Sequence, residues 1–140
     1  IEPTNAYFGE KDFQQLQVVK KLVEKEKLPT NVIGCPIYRE KDGLAMSSRN
    51  IRLSNEQRLE VPLIYKTLKK AVEFAKTKSI KDIYEFVQNE FGASSLKLEY
   101  FTIAEESTLK EVSEINFNKK NRAFIAVNVG QIRLIDNLSL

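Results

Sequence analysis

The hydrophobic period changes within the first forty residues, and this change constrains the fold more than any other feature of the chain. Phe13, Leu16, Val19, Leu22 and Val23 recur at spacings of three and four, the period of a helix with one apolar face. The pattern starts at Asp12, ends in a turn rich in Lys and Glu, and stops before Pro29. Asn31 to Tyr38 follows as a short apolar run carrying Gly34 and Pro36. It is too short for a helix and reads as a buried strand. A helix leading into a buried strand is half of a βαβ unit. The first 38 residues are therefore expected to be the tail of a parallel α/β domain whose preceding strands are missing. Residues 1 to 9, punctuated by Pro3, Asn5 and Gly9, are expected to be extended or loop-like.

Beyond a polar loop at 39 to 53 the pattern is different. Ser54 to Gln57 fits the S-x-x-Q capping box, and Pro62 soon afterwards predicts a short first helix or a kink, with the main helix running from Pro62. Leu63, Tyr65, Leu68, Val72, Phe74 and Ala75 supply its apolar side. Ser79 caps a second helix in which Ile80, Ile83, Phe86, Val87 and Phe91 face one way, with Gly92 at its end. Leu96, Leu98, Tyr100 and Thr102 alternate with Lys97, Glu99 and Phe101, as along a half-buried strand. Phe124 to Val129 and Gln131 to Asp136 predict two more strands joined at Gly130. The expectation is α/β: the end of a parallel α/β domain over residues 1–50, then a small α+β domain over 51–140 with helices on an antiparallel sheet.

Composition narrows the function. The 22 basic and 19 acidic residues are interspersed, no run of Lys or Arg exceeds two, and no aromatic-studded basic stripe is present, which argues against nucleic acid as a partner. The chain contains no histidine, which removes His-based metal sites and His-mediated catalysis from these residues. No protein metal ligands are expected. Cys35 is the single cysteine, so no intramolecular disulfide forms; it reads as a small buried residue at a strand end. No apolar stretch reaches the ~18–20 residues of a membrane span, and no membrane partner is expected.

Two motifs carry chemistry. Tyr7-Phe8-Gly9-Glu10-Lys11-Asp12-Phe13-Gln14-Gln15 lies at a loop-to-helix junction, where free amides and a partial positive charge suit phosphates. Gly9 would let the backbone approach a ligand, Lys11 would place an ammonium on a phosphate, and Asp12 would accept from ribose hydroxyls. Gln15, three residues after Asp12, shares its helix face. The plainer reading is that Asp12 only caps the helix and Lys11 is solvated. Asp42-Gly43-Leu44-Ala45-Met46-Ser47-Ser48-Arg49-Asn50 is the second motif. Two hydroxyls and a guanidinium in succession form a compact donor set for phosphate oxygens, with Gly43 as a flexible point for loop closure. Its plainer reading is a polar linker.

Taken together, Phe-Gly-Glu-Lys-Asp-x-Gln-Gln, then Pro-x-x-Arg-x-x-Asp-Gly-Leu-Ala-Met-Ser-Ser-Arg-Asn, then Arg133-Leu134-Ile135-Asp136-Asn137, closely resemble the C-terminal part of the pantothenate synthetase family. The resemblance implies a Rossmann-like nucleotide-binding domain ending near residue 50 and a small lid domain after it. It implies ATP contacts at Gly9, Glu10, Lys11, Asp12 and, through its main chain, Tyr38. Met46, Ser47, Ser48 and Arg49 would be a variant of the KMSKS loop that closes on the triphosphate, and Gln15 would contact pantoate. The implied reaction joins pantoate to β-alanine through a pantoyl adenylate, with Lys11, Ser47 and Arg49 as the catalytic donors and Mg2+ sharing the phosphate charge. The family further implies a cytoplasmic homodimer.

The family's H-x-G-H motif has no counterpart here, because the chain lacks histidine. The sequence, which starts at Ile1, is therefore expected to be a fragment that is inactive alone. Two other readings stand beside this one. One is another adenylate-forming or nucleotidyl-transferring enzyme of the same superfamily, against which Gln15 speaks. The other is a noncatalytic binding domain whose loop is only a hinge.

Overall fold

A computed structural model describes residues 3–140, which divide into two compact units between Tyr38 and Arg39. The first unit contains β1 (Asn5–Gly9), α1 (Phe13–Lys25) and β2 (Asn31–Cys35). The two strands pair in parallel, from Asn5 opposite Asn31 to Gly9 opposite Cys35, with α1 as the crossover. This is a complete βαβ unit, as the parallel α/β reading requires. Two expectations are corrected. Residues 5 to 9 take the extended of the two forms expected and pair as a strand, so one strand expected to be missing is present. Five residues are too few to reveal their period, and it is the partner 26 residues on that turns them into a strand. Second, β2 is not buried: Asn31 and Ile33 are exposed and Val32, Gly34 and Cys35 are half-buried. It also ends at Cys35, since Pro36 has no amide to continue a ladder.

Phe13 and Leu16 are the buried residues of α1, while Val18 and Leu22 remain more than half exposed. Gly34 allows α1 to lie close to β2, because a Cβ there would meet Leu16 Cδ2 at 3.0 Å. Lys27, in the left-handed region at φ 51°, turns the chain after α1 and ahead of Pro29.

The second unit contains α2 (Asn55–Glu60), α3 (Pro62–Phe74), α4 (Ile80–Gly92), β3 (Lys97–Glu105), β4 (Asn121–Val129) and β5 (Ile132–Ser139). Both expected caps are formed. Ser54 accepts from Gln57 N while the Gln57 side chain bonds back to Ser54 N, and Ser79 and Asp82 repeat the arrangement at α4. Pro62 takes the first position of α3, where its missing amide costs nothing. The strands form an antiparallel sheet in the order β3-β4-β5, with Gly130 at φ 59° in the β4–β5 turn. Helix α3 lies against β4 and β5, and α4 against β3. Ile64 and Leu68 of α3, Ile83 and Val87 of α4, and Ile103, Ile125 and Val127 of the sheet are almost fully buried. Each such side chain contributes about 1.5–3 kcal/mol relative to an exposed one.

The alternation expected along β3 holds only at its start. Leu96 and Leu98 join the core, but from there Phe101 and Ile103 are buried and Tyr100 is 42% exposed. The register shifts between Leu98 and Tyr100, where a bulge inserts one residue and exchanges the two faces of the strand.

Residues 39 to 50, read from sequence with the first domain, pack within the second unit. Arg39 bridges Ala45 in a tight loop closed by Gly43 N donating to Glu40 O and Glu40 N to Leu44 O, each at 2.9 Å. Gly43, expected as a point of flexibility, has φ +92°, and a Cβ on it would overlap Tyr65 Cδ1. It is a constrained turn residue under an aromatic ring. The guanidinium of Arg39 stacks on that ring at 3.9 Å and donates to both carboxylate oxygens of buried Asp136, at 2.6 and 2.9 Å.

Candidate functional site

The sequence-predicted site residues are distributed over both units. In the first, Gly9 ends β1 and Glu10–Asp12 form a single 3-10 turn that runs into α1. Gly9 has φ −68° and ψ 132°, which any residue adopts, and a Cβ on it would meet no described protein atom within 4 Å. Neither backbone conformation nor packing among the described residues calls for glycine there. Asp12 occupies the N-cap position of α1, yet its side chain makes no capping hydrogen bond. The plainer reading of Asp12 as a cap is therefore not realised. Gln15 lies one turn further on, exposed, and Lys11 is half-buried. Tyr38, the last residue of this unit, is 74% exposed.

In the second unit the Met46–Arg49 segment is built from the inside outward. Ser47, with extended backbone, caps a 3-10 turn over Ser48–Arg52: its Oγ accepts from Arg49 N at 3.1 Å and donates to Asn50 Oδ1 at 3.2 Å. Asn50 Nδ2 donates to Glu40 Oε1 at 2.7 Å and to Ala45 O at 3.3 Å. Arg58 on α2 then donates to Glu40 Oε2 at 2.6 Å and, through its other amino group, to Asp42. The Asn50 amide and the Arg58 guanidinium hold the Glu40 carboxyl below its ordinary range; Arg58 does the same to Asp42, and both carboxylates raise Arg58 further. Met46, Ser48 and Arg49 stand outward, exposed.

This arrangement leaves one guanidinium and one hydroxyl directed away from a polar network that occupies the inner side of the turn. Such a set can approach an anion without breaking contacts first. Sequence reading does not single out Arg58. The signal is the acidic pair Glu40 and Asp42, two residues apart in a short loop, a pairing that favours a cation nearby.

Among the described residues no group of three or more His, Cys, Asp or Glu stands where it could hold a metal ion, and no helix is long and apolar enough to cross a membrane. An open depression of about 450 Å³ bordered by Asp42, Leu59, Leu63, Tyr65, Lys66 and Lys69 involves none of the Met46–Arg49 residues.

Comparison with known proteins gives a consistent result. The family described as pantoate-beta-alanine ligase matches residues 1–139. The pantothenate synthetase of Flavobacterium psychrophilum is 51% identical over 141 residues, covering 100% of this chain and 50% of that protein. The pantothenate synthetase of Bacteroides fragilis is 43% identical over 139 residues, covering 99% and 49%. Among solved structures, pantothenate synthetase from Thermus thermophilus superposes with a TM-score of 0.90 at 36% identity, over 99% of this chain and 50% of that one. Pantoate-beta-alanine ligase from Francisella tularensis, complexed with beta-gamma ATP and beta-alanine, gives 0.59 at 28% identity, over 98% and 44%. The chain spans about half the length of the curated relatives it matches. With a family match that runs along essentially its whole length, the chain belongs to the pantoate-β-alanine ligase family.

Proposed function

We propose that the intact protein carrying this chain is an ATP-dependent ligase that condenses pantoate with β-alanine to pantothenate. The family match over residues 1–139 carries this reading. It is supported by the relative whose structure holds beta-gamma ATP and beta-alanine.

The reaction has two steps. A carboxylate oxygen of pantoate attacks the α-phosphorus of ATP and pyrophosphate leaves, giving pantoyl adenylate. The free amine of β-alanine then attacks the acyl carbon, forming the amide as AMP leaves and a proton is lost. Charge builds on phosphate oxygens, and preorganised donors lower that barrier. Lys11, Ser47 and Arg49 take this role. Ser47 exchanges Asn50 for a phosphate oxygen as the acceptor of its hydroxyl proton. Gly9, Glu10, Asp12 and the main chain of Tyr38 hold the nucleotide together with Met46 and Ser48, and the Gln15 amide pairs with pantoate. Magnesium arrives with the triphosphate as part of the substrate, since phosphate oxygens and water are its usual ligands and the described residues offer no carboxylate cage. The assembly is a cytoplasmic homodimer in which the small domain closes as a lid.

These 140 residues alone do not make pantothenate. The described two-stranded parallel sheet leaves Tyr7 and Ile33 exposed, whereas parallel sheets are normally covered on both faces. The test is pyrophosphate release by the intact protein with ATP and pantoate, followed by AMP and pantothenate when β-alanine is added. A release that does not depend on pantoate would overturn the reading, and turnover by the 140-residue chain at the intact rate would overturn its last part.

A further inference from the structure

We propose that Arg58 and Asn50 are positioning residues for the Met46–Arg49 segment, acting on it through Glu40 and Ser47; the inference rests on the nucleotide role proposed above for that segment. The contacts form one directed chain. Arg58 holds the Glu40 and Asp42 carboxylates together, Glu40 accepts from the Asn50 amide at 2.7 Å, and Asn50 accepts the Ser47 hydroxyl proton at 3.2 Å. Ser47 Oγ, held by Asn50 until a phosphate oxygen replaces it, accepts from Arg49 N at 3.1 Å and sets the first turn of the segment. Every link uses a side chain with a defined donor or acceptor face, so the register of the hydroxyl is determined by a cation on another element.

Stability alone is a poor account of this chain of contacts. The Arg58 side chain is 30% exposed and its two partners 28% and 35%. Ion pairs this exposed contribute little to folding. What the geometry supplies is direction. Glu40 and Asp42 repel one another, and only a planar fork with two donating arms holds both at once. Without it Glu40 is free to leave the Asn50 amide, and Asn50 then no longer orients Ser47.

The experiment is single-turnover pyrophosphate release from ATP and pantoate, expressed per titrated active site, in the intact protein and in Asn50→Ala, Arg58→Ala and the double variant. Each single variant is expected to be about tenfold slower, the scale of a small misplacement of reacting groups, with half-saturation by pantoate within about twofold. The double variant is expected to lose no more than about thirtyfold, since residues acting through one shared partner are not additive. Arg58→Lys, a cation without the fork, is expected to recover only part of the rate, and it carries the test together with Asn50→Ala if Arg58→Ala does not fold. A lowered unfolding midpoint with the rate per site unchanged makes these residues merely structural and overturns the proposal. Losses that multiply in the double variant also overturn it. The wild-type control separates the two levels: if the unsubstituted protein releases no pantoate-dependent pyrophosphate, the ligase reading itself falls.

Discussion

The ring of Tyr65 lies directly over the α-carbon of Gly43, leaving no room for a side chain there. A Cβ on Gly43 would overlap one ring carbon and sit 2.9 Å from another, and the backbone already has φ +92°. Two separate penalties therefore meet in Gly43→Ala, a clash and a conformation that L-residues rarely adopt. The substitution is expected to destabilise the protein by about 2–4 kcal/mol. Tyr65→Ala removes the clash together with the ring that stacks on Arg39, so the added cost of Gly43→Ala should be smaller in a Tyr65→Ala background than in the unsubstituted protein. Urea unfolding of both single variants and the double variant checks this; no added cost in that background would show that the backbone conformation carries no strain.

Lys11, Arg49 and Gln15 are expected to fail in different ways in the intact protein. On the function proposed above, Lys11→Ala and Arg49→Ala would each remove a cation directed at developing phosphate charge, and should slow adenylate formation by about 2–4 kcal/mol in activation free energy. On the same proposal Gln15→Ala would remove an amide that pairs with pantoate, so half-saturation by pantoate should rise by the equivalent of about 1–3 kcal/mol while ATP use stays nearly intact. Pre-steady-state pyrophosphate release, measured against each substrate in turn, distinguishes the two. Weakened ATP use with pantoate untouched in Gln15→Ala would contradict its assignment.

A small part of the acid limb of stability should depend on Arg58, since pairs this exposed are largely screened by solvent. The carboxyls of Glu40 and Asp42 are held below their ordinary values of 4.5 and 3.8, Glu40 first by Asn50 and then by Arg58, and Asp42 first by Arg58. A depressed folded-state value means that the unfolded chain binds protons more readily. The resulting stability is present above pH 4.5 and is lost as the pH falls through the folded values. Arg58→Met should flatten this limb. Urea midpoints between about pH 7 and pH 3 that fall in parallel for both proteins would show that the pairing does not contribute.

The bulge in β3 makes a prediction opposite to simple alternation. Phe101, 6% exposed, should cost about 3–5 kcal/mol when changed to Ala, whereas Tyr100, 42% exposed on the other face, should cost about 1 kcal/mol or less. Thermal unfolding of the two variants decides between the faces.

These residues also mark where the sequence was legible. The capping box at Ser54, the cap at Ser79 and the start of α3 at Pro62 are readable, because each depends on residues within one turn of the other. Strand β1 is not, because its pairing partner lies beyond a whole helix. The phase of β3 was lost at one inserted residue between Leu98 and Tyr100, a feature with no local signature in that stretch. For the site, the motif strings named the segment, but spacing could not reveal what holds it. The partners of Ser47 run through Asn50 and Glu40 to Arg58 on α2, a helix for which the sequence shows only its cap.

The bidentate contact between Arg39 and Asp136 spans 97 positions of the chain. Arg39 opens the second unit and Asp136 lies on its last strand, so this contact has a temporal meaning during synthesis. While the ribosome delivers residues in order, the caps at Ser54 and Ser79 can be completed within one turn of each helix. The Arg39 side chain, by contrast, has no Asp136 carboxylate to bind until β5 has been made and paired with β4. Contacts of such separation form late, after the costly closure of the intervening chain. The contact that ties Arg39 to Asp136 is consequently completed last, and a nascent chain caught before Asp136 emerges carries the whole Met46–Arg49 segment with its local bonds but without that long-range tie.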